Sequence, residues 1–428
     1  MKKLVYLLSC LFLLSAGFAA CSSESEDPPE QPSSHQNEEP VDSASVDKDT
    51  ITIVKDTTEV DSTENHSVPY KCEVVIDGIK YFINTEEKTA EVRANSYTNE
   101  VVIPETVIFN GVTCYVTSMV GNAFRNCSGL TSITIPKSMT YIDNDAFLGC
   151  SGLTAVHISD LESWCKTLFS MGTSNPLCYA SHLFLNGQKV TELVIPDGLT
   201  YISSYAFINL SDLTSVSIPN SVTGIGMGTF HGCINLSSIK IPNSLRIIGD
   251  WGFMNCTSLT TFDIPDSVYY IGRSAFAYCS NLTSITLSNK LSSIESGLFD
   301  NCKALTAIEI PHSVTSIGTY AFYGCEGLTS TNIPDGVTSI GINAFCGCKN
   351  LTSVSIPNSV TSIGIWAFYI CPNLTSVVSQ IRNPFEIEGP CFDPNVYDNG
   401  TLYVPVGTID KYKAMDPWQK FVNIKENT

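Results

Sequence analysis

Two adjacent stretches, CEGLTSTNIPDGVTSIGINAFCG at 325–347 and CKNLTSVSIPNSVTSIGIWAFYI at 348–370, are one sentence written twice at a spacing of 23 residues. Counting outward, Phe345 and Phe368 belong to a column that also holds Phe124, Phe147, Phe207, Phe230, Phe253, Phe276, Phe299 and Phe322. Every step is 23 except the one from Phe147 to Phe207, which is 60, so one repeat there carries an insertion. A fixed period of this length marks a solenoid in which each repeat is one coil stacked on the last. Within a repeat, Leu351, Val354 and Ile356 fit a short strand whose apolar side chains enter the core. Pro357 lacks a ladder donor and ends that strand. Val360, Ile363, Ala367 and Phe368 then line the returning half, and Gly364 is expected to supply a backbone angle that a larger residue would resist.

Stacking places like over like. The strand column runs through Ile103, Ile135, Ile158, Ile195, Ile218, Ile241, Ile264, Leu287, Ile310, Ile333 and Ile356. That predicts a β-rich solenoid, a right-handed coil with one parallel sheet about 50 Å long at roughly 4.8 Å per strand. The ends need covers, because an open coil exposes core and strand edges. Alternation at 70–83 around Asp77-Gly78 predicts a hairpin within an N-terminal β cap over 68–115. The repeats occupy 116–377, with an insertion at about 159–194, and a C-terminal cap follows over 378–428. Leu402 to Pro405, a helical stretch near Ile409–Met415, and Trp418, Phe421 and Ile424 mark that cap.

The pattern L-x-x-[IV]-x-[IL] resembles leucine-rich repeats. More closely, the Ile-Pro pair, the Ile-Gly-x-x-Ala-Phe run and the repeated cysteine resemble the BspA-type, or treponemal, class of 23-residue repeats. Trp164, Asn175-Pro176-Leu177 and Leu183 to Gly187 look like the insertion that class often carries. The resemblance implies a leucine-rich repeat surface lipoprotein, with host-matrix proteins among its possible ligands.

The two ends of the sequence speak to address and charge. Lys2 and Lys3 precede an apolar run from Leu4 to Ala20, too short for a membrane span. Phe18-Ala19-Ala20-Cys21 resembles a bacterial lipoprotein signal, so residues 1–21 are expected to be an export signal with Cys21 as the lipid attachment site. The acidic run Glu24, Glu26 and Asp27 looks like a tag for exposure at the cell surface, and the expected location is the outer membrane. Residues 22–67 hold 13 acids against Lys48 and Lys55 and few large apolar groups, which predicts a disordered stalk. Its rms reach is about 40 Å. Over the whole chain, 23 Lys plus Arg against 42 Asp plus Glu give a formal charge of −19, which repels nucleic acid and anionic lipid heads. No nucleic-acid partner is therefore expected, and contact with a membrane is expected only through Cys21.

Nine cysteines, from Cys127 and Cys150 to Cys348 and Cys371, share one repeat position, and Leu210 stands in the same column. A leucine there reads as an apolar slot. Buried free thiols are the favoured reading over disulfides or metal, since stacked side chains run parallel and do not converge. The six histidines make no zinc motif, and no nucleophile elbow, phosphate loop or dinucleotide fingerprint is present. No enzyme, cofactor or metal is expected. Recognition must reside in the columns that vary. One lies outward on the strands and includes His157, Lys240, Asp263, Glu309 and Asn332. A second precedes the Ala-Phe pair and includes Tyr205, Trp251, Tyr320 and Trp366, rings able to stack on sugars or anchor a protein. The near-constant Thr and Ser columns read as solubilising filler. The expected function is protein binding or adhesion by a monomeric surface lipoprotein. The alternative is a glycan-capturing or scaffold lipoprotein of an outer-membrane uptake system.

Overall fold

The computed structural model describes residues 70–427, together with the backbone of a two-residue strand at Thr52–Ile53. The export signal, Cys21 and the rest of the stretch 22–67 lie outside the described residues. Lys71–Ile76 and Ile79–Asn84 pair antiparallel around Asp77-Gly78, whose φ of 48° and 78° suit a tight hairpin turn. Val112–Met119 then pairs with Thr89–Val92 on one side and with Tyr141–Ile142 on the other, joining the hairpin sheet to the first coils.

From there the chain winds as a solenoid, and adjacent coils pair in parallel at a register of 23, as in Ser330 with Ser353 and Ser339 with Ser362. The strand column forms the first ladder. It takes in an element of the insertion, Leu183–Leu185, which lies parallel to Ala155–Ile158. It also runs on past the last Ile-Pro copy, through Ser376–Ser379 and Thr401–Val404 to Asn423–Glu426, all parallel. A second parallel ladder, absent from the expectation of one sheet, is made by short strands such as Gly224–Ile225, Ile247–Ile248 and Tyr270–Ile271. On the remaining side every second residue donates to the next coil: Trp251 to Arg273, Phe253 to Ala275 and Asn255 to Ala277, at 2.8–2.9 Å. Three bonded sides leave few orphan backbone groups.

The phenylalanines fill the axis. Rings from Phe207 to Phe368 stack at centroid distances of 5.0–6.0 Å, with neighbouring planes within 19°. Phe392 extends the stack at 5.4 Å after a step of 24 residues, and Tyr97 covers Phe124 at 4.4 Å. Each buried ring contributes on the order of 1.5–3 kcal/mol.

Three sequence expectations change in their physical reason. Gly364 and its equivalents do not have a positive φ. A Cβ on Gly364 would instead lie 2.4 Å from the Ile342 backbone nitrogen, so glycine is needed because adjacent coils approach too closely for a side chain. The cysteine column is more than an apolar slot. From Cys150 to Cys371 its thiols donate to the carbonyl of the phenylalanine 26 residues earlier, as in Cys302 to Phe276 at 3.1 Å and Cys325 to Phe299 at 3.1 Å. Burial pushes the Cys150, Cys279 and Cys371 thiols up to about 12, and among the described residues the column holds thiols, not disulfides. The threonine columns are not filler either. Their hydroxyls donate to the carbonyl 23 residues back, as in Thr283 to Thr260 at 2.9 Å and Thr338 to Thr315 at 3.1 Å.

Candidate recognition surfaces

The first ladder presents its outward column to solvent. Lys240, Asp263, Glu309 and Asn332 are exposed, and Asp263 accepts from the Thr286 hydroxyl one coil on at 2.8 Å. His157 is half-buried and stacks on Phe184 at 4.9 Å, with planes 18° apart. Phe184 belongs to the insertion, which is tied down again where Asp212 takes His182 at 2.5 Å and Lys189 at 2.9 Å. This face is a mostly polar surface of mixed charge, with Val194 exposed among its polar residues.

The aromatic column is different in kind. Asn122, Asp145, Tyr205, Gly228, Trp251, Ser274, Gly297, Tyr320, Asn343 and Trp366 all have φ between 52° and 65°. That is the left-handed region, which costs a non-glycine residue roughly 1–2 kcal/mol. Asn, Gly and Asp are the ordinary occupants of such a position, yet four coils place Trp or Tyr there. Tyr205 is consumed by packing: its ring lies over Gly228, where a Cβ would stand 2.7 Å away, and its hydroxyl donates to the Met227 sulfur at 2.9 Å. Trp251 is not consumed in this way and remains 39% exposed. Tyr320 and Trp366 are half-buried, and the Tyr320 ring meets Tyr323 edge-on at 5.4 Å.

Beside Trp251 the second ladder carries surface rings that sequence reading missed. Tyr201, Tyr269 and Tyr270 are exposed, and Ile247 lies between Gly224 and Tyr270 in register. In later coils the same column reads Ser293, Ser316, Ser339 and Ser362. Arg246 and Arg273 are exposed in the same coils, and the Arg273 N–H donates to Asp250 at 2.8 Å. The sequence did hold a signal for this region: the Tyr-Ile copies at 201 and 270 stand where other coils repeat Ser-Ile.

Among the described residues no three His, Cys, Asp or Glu side chains converge as metal ligands. No helix among them is long and apolar enough to cross a membrane. The chain matches the BspA type leucine rich repeat region in 6 copies, over residues 90–175, 179–306 and 270–395. The chain belongs to the BspA-type leucine-rich repeat family. No curated protein matches it. Solved structures similar to it include a leucine-rich repeat protein from Bacteroides ovatus, 24% identical over 83% of this chain and 99% of that one, with a TM-score of 0.42. The pneumococcal vaccine antigen PcpA is 16% identical over 84% and 100%, with a TM-score of 0.44. A leucine rich cell surface protein from Faecalibacterium prausnitzii is 22% identical over 74% and 95%, with a TM-score of 0.37. The BspA-type repeats account for the core columns and leave the aromatic flank unexplained, since its rings stand where the coil would accept Asn or Gly.

Proposed function

We propose that this protein is a non-enzymatic recognition lipoprotein, held at the outer membrane through Cys21 and displayed at the cell surface on the acidic stretch 22–67. Its task is to bind other proteins, on host matrix or on other cells, as a monomer. One observation carries the reading: Trp251, Tyr320 and Trp366 are placed at left-handed backbone positions against a conformational cost. Structural need does not call for rings there, because Gly228, Ser274, Gly297 and Asn343 complete their coils at the same position. Trp, Tyr and Arg are also the residues that most often anchor protein interfaces, and Arg246 and Arg273 stand beside Trp251. The outward strand residues His157, Lys240, Asp263, Glu309 and Asn332 would form a rim that tunes specificity.

Full-length protein applied to arrays of matrix proteins and of glycans tests this. Saturable binding to at least one protein at micromolar concentration or below is expected. Binding confined to glycans would instead support a capture role in polysaccharide uptake, and binding to nothing would sink the reading.

A further inference from the structure

Asp300 stands apart from the other carboxylates of the solenoid. It lies half-buried on the flank, and among the described residues its one side-chain hydrogen bond comes from the Asn301 amide at 2.7 Å. Among the described residues no lysine, arginine or histidine pairs with it; the nearby Lys303 and Lys349 face Glu326 at 3.9 and 3.1 Å. Backbone bonds fix what surrounds it. The Tyr278 N–H donates to the Asp300 carbonyl at 2.7 Å, and the Asn301 N–H donates to the Tyr323 carbonyl at 2.7 Å. Tyr278 and Tyr323 therefore flank Asp300 from the coils before and after it, with Tyr320 edge-on to Tyr323 at 5.4 Å. Within its own coil the aromatic column drops to Gly297, where a Cβ would lie 2.7 Å from the Ser274 hydroxyl and 3.9 Å from the Asp300 Cβ, so that coil adds no ring beside the carboxylate.

We propose that Asp300 with Tyr278, Tyr320 and Tyr323 forms a receptor for one organic cation, the ammonium or guanidinium of a lysine or arginine side chain on a basic partner. A desolvated carboxylate without a countercharge is unfavourable, and a cation seated there would neutralise it. The ring faces supply the second attraction through their quadrupoles. Burial pushes the Asp300 carboxyl up to about 6, as expected for a carboxylate short of a positive neighbour. Charge complementarity chooses the occupant: a chain of net charge −19 draws basic segments towards it and repels acidic ones. The site goes beyond the proposed function and stands whether or not Trp251 contacts a protein.

The test uses full-length protein carrying fluorotyrosine, followed by fluorine NMR. The probes are Nα-acetyl-lysine methylamide, its arginine counterpart, and the neutral Nε-acetylated lysine compound. The cationic probes should shift the resonances of Tyr278, Tyr320 and Tyr323 saturably, and the neutral one should not. Asp300→Asn should weaken binding about tenfold or more, and Tyr323→Leu should weaken it while keeping the carboxylate. Glu326→Gln, at a half-buried carboxylate already paired with lysines, should change nothing. A preference for one cationic probe identifies lysine or arginine as the source. No shift of these resonances, or equal binding by Asp300→Asn, would overturn the proposal.

Discussion

Replacing Gly341 with alanine puts the coil geometry to a quantitative test. A Cβ at Gly341 would stand 2.4 Å from the Thr319 nitrogen, 2.6 Å from the Gly318 carbonyl carbon and 2.8 Å from the Gly318 oxygen. All three atoms are backbone of the preceding coil, so no side chain can swing aside. The coils must separate, which stretches the bond from the Gly341 N–H to the Ile317 carbonyl, now 2.8 Å, and the pairing of Ser316 with Ser339. The chain contains its own version of this experiment. The second ladder is interrupted between Leu168–Phe169 and Tyr201–Ile202, and again between Tyr270–Ile271 and Ser293–Ile294. After each break the glycine position holds a side chain, Ser203 and then Glu295, whereas Asp143 at the same position near the N-terminal end keeps its N–H on the Met119 carbonyl at 3.0 Å. Overpacking of 1–3 kcal/mol, together with about 1 kcal/mol per weakened bond, is offset by alanine's lower unfolded-state entropy. A net loss of about 2 kcal/mol is expected. Gly347→Asn serves as the control: at φ 78° it needs only left-handed tolerance, which Asn209, Asn255 and Asn301 supply in the same column. Urea unfolding of both variants measures the difference. A Gly341→Ala loss below about 0.5 kcal/mol, or an equal loss in both variants, would refute the claim that backbone approach dictates the glycine.

Phe392→Ala should destabilise by about 3–5 kcal/mol, the range for a core ring, because Phe392 ends the aromatic stack; a loss under about 1 kcal/mol would show that the last coil lies outside the cooperative core. The thiols govern alkaline behaviour. Cys279 has its folded value raised from 9.0 to about 12, so its contribution is complete below pH 9 and is lost as pH rises towards 12. Thermal midpoints should fall over that window, and the fall should be shallower in Cys279→Ala. The threonine bonds are modest: Thr338→Val should cost about 0.5–1 kcal/mol by urea unfolding, through loss of the 3.1 Å bond to Thr315.

The repeat was legible because its core positions meet the same packing demand in every coil, so Phe, Ile and Cys recur there. What escaped was set by contacts between coils 23 residues apart, whose geometry no single repeat displays. The glycine column is one example, since close approach and a positive φ call for the same residue. The left-handed column is another. Its mixture of Asn122, Gly228, Ser274 and Asn343 is a readable signal for a positive φ, which Trp251 and Trp366 mask because such rings seldom occupy it. Phe392 escaped because the cap lengthens its step to 24 residues, and Asp300 because its neighbours Tyr278 and Tyr323 belong to other coils.

The central claim is that the left-handed aromatic flank exists for binding. It is tested most directly by comparing full-length protein with a Trp251→Asn, Trp366→Asn double variant on whichever protein the array identifies. Asparagine suits the backbone at both positions, so the fold is kept, as circular dichroism should verify. The account predicts that affinity falls about tenfold or more while the fold persists. Undiminished affinity in the folded double variant would contradict it.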